Sequence, residues 1–300
     1  MNPFTTTGGR TRFLAYALLI LASLLWSVVG ILVKGAVTMV DSNAVSFFRF
    51  ILGVGFLILF MRIARVPLRL ELRHPFIYFA ALGKAVNYLF ENVGIAMGPA
   101  WSNLIVGPVS TVSLFLLAVF FLGEKSTLRK VLSTLACLGG VVLMRGGGGG
   151  TGLTWTIVGL MIFSGIGAAA HVFYQRKLVD RMDSLNLNTS IFLVSSLITL
   201  APLPVLGHVT GPVTWLAVGC LLALGLITGL SFHLFALAIR HVPMIQVTIL
   251  SNVGFLFTPI WAYLAFGSPI TVDVMAGAAL AISGIILVSL PSPRIVAPVD

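Results

Sequence analysis

Apolar stretches of about twenty residues recur ten times along this chain, and about twenty residues is what a helix needs to cross a bilayer. The pattern places spans at roughly 13–33, 43–62, 75–97, 100–122, 128–144, 154–176, 188–206, 214–238, 244–266 and 271–290. Within them the apolar residues run continuously, whereas barrel strands would alternate and be half as long. In lipid the backbone polar groups must be paired internally, which such segments achieve as helices. The short connections carry helix breakers such as Gly98-Pro99, Gly211-Pro212, Val242-Pro243 and Ser268-Pro269. The first stretch follows Arg10 and Arg12 as a signal peptide would, but its length and the lack of a cleavage site before a soluble chain mark it as a retained helix. The expected fold is an all-α integral membrane protein of ten transmembrane helices.

Composition agrees: 58% of residues are hydrophobic and 9% charged, against roughly 25% charge in an ordinary globular domain. The net charge of +10 would suggest nucleic acid in a soluble protein, so the placement of the eighteen Lys and Arg decides its meaning. Fourteen fall in the segments that an inside N-terminus makes cytoplasmic, from Arg10 and Arg12 through Arg62, Arg65, Arg69 and Arg73 to Arg240 and Arg294. Lys34 and Arg145 fall outside, and Arg49 and Lys84 lie inside spans. This is the positive-inside rule. The charge reports topology with both termini cytoplasmic, and no nucleic-acid partner is expected. Cys137 and Cys220 fall within spans and read as buried apolar thiols. No spacing suits a metal, and no cofactor is expected.

The chain also repeats itself. A shift of 144 residues places Pro99 on Pro243, Ala118 on Ala262, Thr127 on Thr271, Gly140 on Gly284 and Leu143 on Leu287. Each copy holds five spans, and an odd number inverts the second copy in the membrane. The charges agree: Gly123-Glu124-Lys125 falls inside, while its counterpart Gly267-Ser268-Pro269 falls outside and is uncharged. The organisation expected is a first repeat over 1–145, a glycine-rich linker over 146–153 and a second, inverted repeat over 154–300. Inverted repeats are an architecture of secondary transporters, with substrate near the midplane where the halves meet.

The stretch from Tyr88 to Met144 resembles the repeat of the drug/metabolite transporter superfamily, EamA-like branch. The shared features are a short turn after the third helix, a proline-bearing fourth helix, a Gly-Glu pair at its end and a glycine-rich fifth helix. In the second copy Ser268 stands where the family often has the glutamate. The resemblance implies a ten-helix carrier of a bacterial inner membrane, commonly an exporter of amino acids or other small metabolites.

Ionisable groups deep in a bilayer cost several kcal/mol unless they face a cavity or a partner. Arg49 and Glu91 each lie about six residues from the outer end of their spans, roughly 9 Å deep at 1.5 Å per residue, so they are expected to face one another or bracket a ligand. Lys84, Asn87, Tyr88 and Glu91 recur at i, i+3, i+4 and i+7 and share one face of the third helix. On that stripe Lys84 suits a substrate carboxylate, and Glu91 or Asn92 an amino group. Glu91 is also the candidate carrier of a coupling proton, since apolar surroundings and a neighbouring arginine favour different protonation states. Trp26, flanked by Ser23 and Ser27, is placed to stack on a ligand. Trp101, Trp155, Trp215 and Trp261 read as an interfacial aromatic belt. His171 and His233 are candidates for cavity lining or proton relay. Asn252, which corresponds to Pro108, and Pro259 mark candidate gating points in the ninth span. Gly139-Gly140 and Gly277, Ala281 and Gly284 suggest close helix packing, within one chain or in a homodimer.

The chain lacks HExxH, GxSxG and clustered His and Asp, which argues against an enzyme. It also lacks a filter loop or acidic ring, which argues against a channel. The expected function is a secondary active transporter of amino-acid-like, zwitterionic or carboxylated solutes, with a small-molecule substrate and the lipid bilayer as partners. The alternatives are a translocator of a lipid or lipid-linked sugar, and a facilitator without coupling.

Overall fold

The computed structural model describes residues 9–122, 127–146, 152–242, 244–268 and 270–289. Glu124 and Lys125, Pro243 and Pro269, and Gly147–Gly150 of the linker therefore lie outside the described residues. The first half comprises α1 (Gly9–Ser27), α2 (Val29–Ala36), α3 (Ser42–Ala64), α4 (Pro75–Met97), α5 (Val106–Leu122) and α6 (Leu128–Arg145). The second comprises α7 (Trp155–Leu178), α8 (Ser184–Leu200), the short α9 (Leu203–Leu206), α10 (Trp215–Ala238), α11 (Met244–Val253), α12 (Thr258–Phe266) and α13 (Val272–Ser289).

Among the described residues five helical stretches are long and apolar enough to cross a membrane: Thr11–Ala36, Ser42–Ala64, Ser102–Phe121, Trp155–Leu178 and Trp215–Ala238. Shorter apolar helices cover Ser184–Leu200, Leu250–Phe266 and Val272–Leu287. α4 is as long as Ser42–Ala64 but carries Lys84, Asn87, Glu91 and Asn92, which lower its hydropathy. Large apolar side chains face outward around the bundle, among them Phe13, Ile63, Phe120, Leu135 and Leu264. A surface of that kind suits hydrocarbon and not water.

Three of the expected spans are interrupted. The first breaks at Val28 between α1 and α2, where the Ser27 hydroxyl donates to Leu24 O at 2.6 Å. The fourth opens with a 3₁₀ turn, Ser102–Ile105. The ninth is divided by a second 3₁₀ turn, Gly254–Phe257, ahead of Pro259. The seventh begins earlier than its hydropathy indicates, at Ser184, because Asp183 caps it.

Basic residues gather at one end of the bundle. There Arg176 donates to Ile239 O at 2.9 Å, Arg181 lies 3.1 Å from His74 Nε2, and the Arg69 amide donates to Asn186 Oδ1 at 2.7 Å. At the opposite end Lys34 Nζ donates to Ala96 O at 3.1 Å, and Asp41 joins the loop before α10 through His208.

The packing is two-fold. α6 and α13 lie antiparallel, and contacts across them exchange when 144 residues are added to one partner and taken from the other. Gly140 abuts Gly277 and Ala281, while its counterpart Gly284 abuts Ser133 and Cys137. An added Cβ at either glycine would fall under 3.0 Å from backbone atoms of the facing helix. The small-residue stripes of these two helices are thus used within one chain. α4 packs on α7 as α10 packs on α1 and α2, and α3 and α8 meet between the halves. One apolar cluster fills each end of the bundle, and Trp26 packs against both.

A buried ion pair and an aromatic-bracketed lysine line the central cavity

α4 supplies most of the interior polar groups. Pro75 occupies its first turn, and the His74 ring accepts from the Phe76 amide at 3.3 Å. From there the helix runs unbroken to Met97, so helical periodicity stands Lys84, Asn87, Tyr88 and Glu91 on one face, and all four are buried. The face borders a cavity of about 110 Å³ walled by both repeats: α1, α3, α4 and α5 on one side, α7, α10 and α11 on the other.

From α3, the Arg49 guanidinium donates through one nitrogen to Glu91 Oε2 at 3.2 Å and to Asn92 Oδ1 at 2.7 Å. It lies 3.6 Å over the Tyr88 ring. The Asn92 amide donates in turn to Ser46 Oγ at 2.8 Å, which orients the amide oxygen toward the arginine. Tyr88 stacks on Phe50 at 4.7 Å between centroids, and its hydroxyl is 3.2 Å from Thr228 Oγ1 on α10. The partners of one Arg49 terminal nitrogen are thus held in place, as a buried charge requires.

Lys84 is held differently. Its ammonium donates to Asn87 Oδ1 at 2.7 Å and sits between two ring faces, 4.2 Å from the Tyr88 centroid and 4.0 Å from that of Phe232. Asn87 is anchored by Ser164 Oγ at 2.8 Å across the α4–α7 crossing. Among the described residues no carboxylate pairs with Lys84.

Polar atoms at the cavity that are buried without a hydrogen-bond partner among the described residues include Trp26 Nε1, Arg49 Nε and His171 Nε2. Trp26 leans on Phe232 and Phe235, at 5.0 and 5.6 Å. His171 meets Ala80 O at 3.2 Å through Nδ1 and stands edge-on to Phe232. The carbonyl only accepts, so Nδ1 carries the proton and Nε2 of the neutral ring is an acceptor.

Of the residues singled out from the sequence, Trp26, Arg49, Lys84, Asn87, Tyr88, Glu91, His171 and Asn252 line this cavity. Asn92 lies behind it as a support of Arg49. His233 lies away from it, with Nδ1 2.8 Å from Ser184 Oγ at the start of α8. Trp101 is fully buried and not part of a belt, while Trp155 and Trp215 are exposed and Trp261 donates to Ser27 Oγ at 2.9 Å. Sequence reasoning passed over Phe232, Phe235 and Thr228. Their spacing held the signal, because Thr228, Phe232 and Phe235 stand 144 residues beyond Lys84, Tyr88 and Glu91. The contacts Lys84–Phe232 and Tyr88–Thr228 exchange under that shift, so the site sits on the two-fold relation of the repeats.

The second gap in the helices adjoins the site. Ser23 on α1 donates to Ser251 O at 2.9 Å and accepts from the Gly254 amide at 2.5 Å, which pins α1 to the 3₁₀ turn between α11 and α12. Ser251, Asn252 and Phe255 from this region line the cavity.

Apolar outer faces around a helical bundle, with charged groups buried at a central cavity, define a multi-pass membrane protein. The model of the EamA-like transporter family matches twice, over residues 13–146 and 155–290, and the chain belongs to that family of membrane transporters, which are not enzymes. Among solved structures 25 chains match. One, described only as the crystal structure of a protein, is 18% identical and superposes with a TM-score of 0.67 over 92% of this chain and 98% of its own length. That likeness is one of fold. No curated protein matches.

Proposed function

We propose that the chain is a secondary active transporter that exports amino-acid-like, zwitterionic or otherwise carboxylated metabolites across a bacterial inner membrane by alternating access. The observation that carries this reading is the cavity itself: charged and aromatic groups gathered at the contact of two repeats, beside a broken helix. Discontinuous helices at repeat interfaces are where secondary transporters bind substrate. In this reading the ten spans form two five-helix repeats of opposite orientation, the basic end is cytoplasmic, and both termini lie on that side. The Gly254–Phe257 turn and the break at Val28 are the points where the bundle bends.

Uptake of labelled amino acids and small metabolites into proteoliposomes, with and without an imposed pH gradient, tests the reading. Gradient-stimulated uptake of one class is expected, and Glu91→Gln should remove the stimulation if Glu91 carries the proton. Uptake indifferent to the gradient would make the protein a facilitator. Folded protein that moves no water-soluble candidate would overturn the reading in favour of a lipid-linked cargo.

A further inference from the structure

Resting on the transporter reading, we propose that the cavity selects organic monoanions, one carboxylate on a compact apolar body, over the zwitterions and amines of the same shape.

Charge is the first argument. Glu91 is the one carboxylate among the described residues lining the cavity, and Arg49 already pairs with its Oε2 at 3.2 Å. The Lys84 ammonium pairs with no carboxylate among the described residues. Two ring faces at 4.0 and 4.2 Å stabilise that cation without neutralising it. A ligand carboxylate completes the pair, whereas a ligand ammonium meets two cations and a carboxylate already in use.

Hydrogen-bonding capacity is the second and independent argument. Trp26 Nε1 and Arg49 Nε are N–H donors buried without partners, and the Lys84 ammonium spends one of its three donors on Asn87. The acceptors at the cavity include His171 Nε2 and the amide oxygen of Asn252. The donors of Trp26, Arg49 and Lys84 converge on this space and suit an acceptor-only group, and a carboxylate offers about four acceptor sites.

Shape sets the rest of the molecule. The remaining walls include Phe232, Phe235, Phe255 and Val106, and the volume of about 110 Å³ is near the ~150 Å³ that admits a benzene ring in an engineered cavity. The body is therefore about one ring or a branched chain of similar size.

The test uses the purified full-length chain and three probes sharing one ring: 3-phenylpropionate, phenylalanine and phenethylamine. Ligand-induced rise in unfolding temperature reads binding, and the unliganded value for each variant reads folding. We expect 3-phenylpropionate to bind at least tenfold more tightly than phenylalanine, and phenethylamine not to bind. Lys84→Met should lose the anion, and Lys84→Arg should retain most of its binding. Phenylalanine binding as tightly as 3-phenylpropionate would overturn the proposal and leave the transporter reading intact. Wild-type affinity for 3-phenylpropionate in Lys84→Met, or no binding of it by the folded wild type, would also overturn it. The wider metabolite panel in proteoliposomes then judges transport separately.

Discussion

Asp41 ahead of α3 and Asp183 ahead of α8 are N-caps of corresponding helices in the two repeats. Asp41 Oδ1 accepts from the Asn43 and Ala44 amides at 2.7 and 3.2 Å, and Asp183 Oδ1 accepts from Leu185 and Asn186 at 3.1 and 2.9 Å. Each also straps a neighbouring loop. Asp41 Oδ2 accepts from the His208 amide at 2.6 Å, and Asp183 Oδ2 orients Asn186, whose side chain bonds Pro67 O and the Arg69 amide. Replacing either with Ala should lower stability by about 1 kcal/mol for the lost cap. Asp41→Ala should cost more than Asp183→Ala, because it leaves the His208 amide without its acceptor. Unfolding of the purified variants measures both.

Arg49 and Glu91 should behave as a unit. Arg49→Ala leaves a buried carboxylate without its cation, and losses of this kind run to about 3–5 kcal/mol. Arg49→Met combined with Glu91→Met should recover much of the loss, since paired apolar replacements of a buried ion pair are often neutral. A double variant as unstable as Arg49→Ala would show that the two residues are not coupled. Thermal unfolding of the two variants side by side makes the comparison.

Two glycines separate crossing geometry from helix propensity. A Cβ at Gly83 would lie 2.7 Å from the His171 amide nitrogen and 2.8 Å from Gly167 O, both backbone atoms of α7. Gly83→Ala must push the helices apart and should destabilise by about 1–3 kcal/mol, displacing His171 from the cavity. Gly55→Ala, on the same bundle with nothing within 4 Å, should be neutral or stabilising. Equal effects in unfolding experiments would contradict the close crossing.

Tyr88→Phe isolates one hydrogen bond. It removes the contact to Thr228 Oγ1 and keeps the ring that stacks on Phe50 and faces both Arg49 and Lys84. The expected loss is about 1 kcal/mol of stability, with ligand binding changed less than by Tyr88→Leu, which also removes the ring. Ligand-induced thermal shifts on both variants decide it.

Much of this arrangement was legible because a bilayer makes sequence patterns simple. Depth arithmetic along straight spans set Arg49 level with Glu91, in agreement with their 3.2 Å contact, and helical spacing set the α4 stripe on one face. Hydropathy alone hid the second 3₁₀ turn, Gly254–Phe257, because its residues are about as apolar as their neighbours. What bends the second is Pro259 together with a serine on another helix, Ser23, far away in sequence. His233 was misplaced for a related reason: its partner Ser184 belongs to a first turn created by the Asp183 cap, which is polar and reads as loop. Phe232 went unnoticed because an apolar residue in an apolar span gives no signal until the lysine it covers is known.

The seam between α6 and α13 carries a different implication. Cys137 Sγ lies 3.6 Å from Ala281 O, and these are one and the same position of the repeat, 144 residues apart. Such a surface is its own complement. A polypeptide of half the length, present in two copies of opposite orientation, would bury it without any further invention, which describes how a gene duplication could yield this protein from a homodimer. The union of the halves then depends little on the peptide link between them, and residues 1–146 and 152–300 produced as separate chains should co-purify as one assembly.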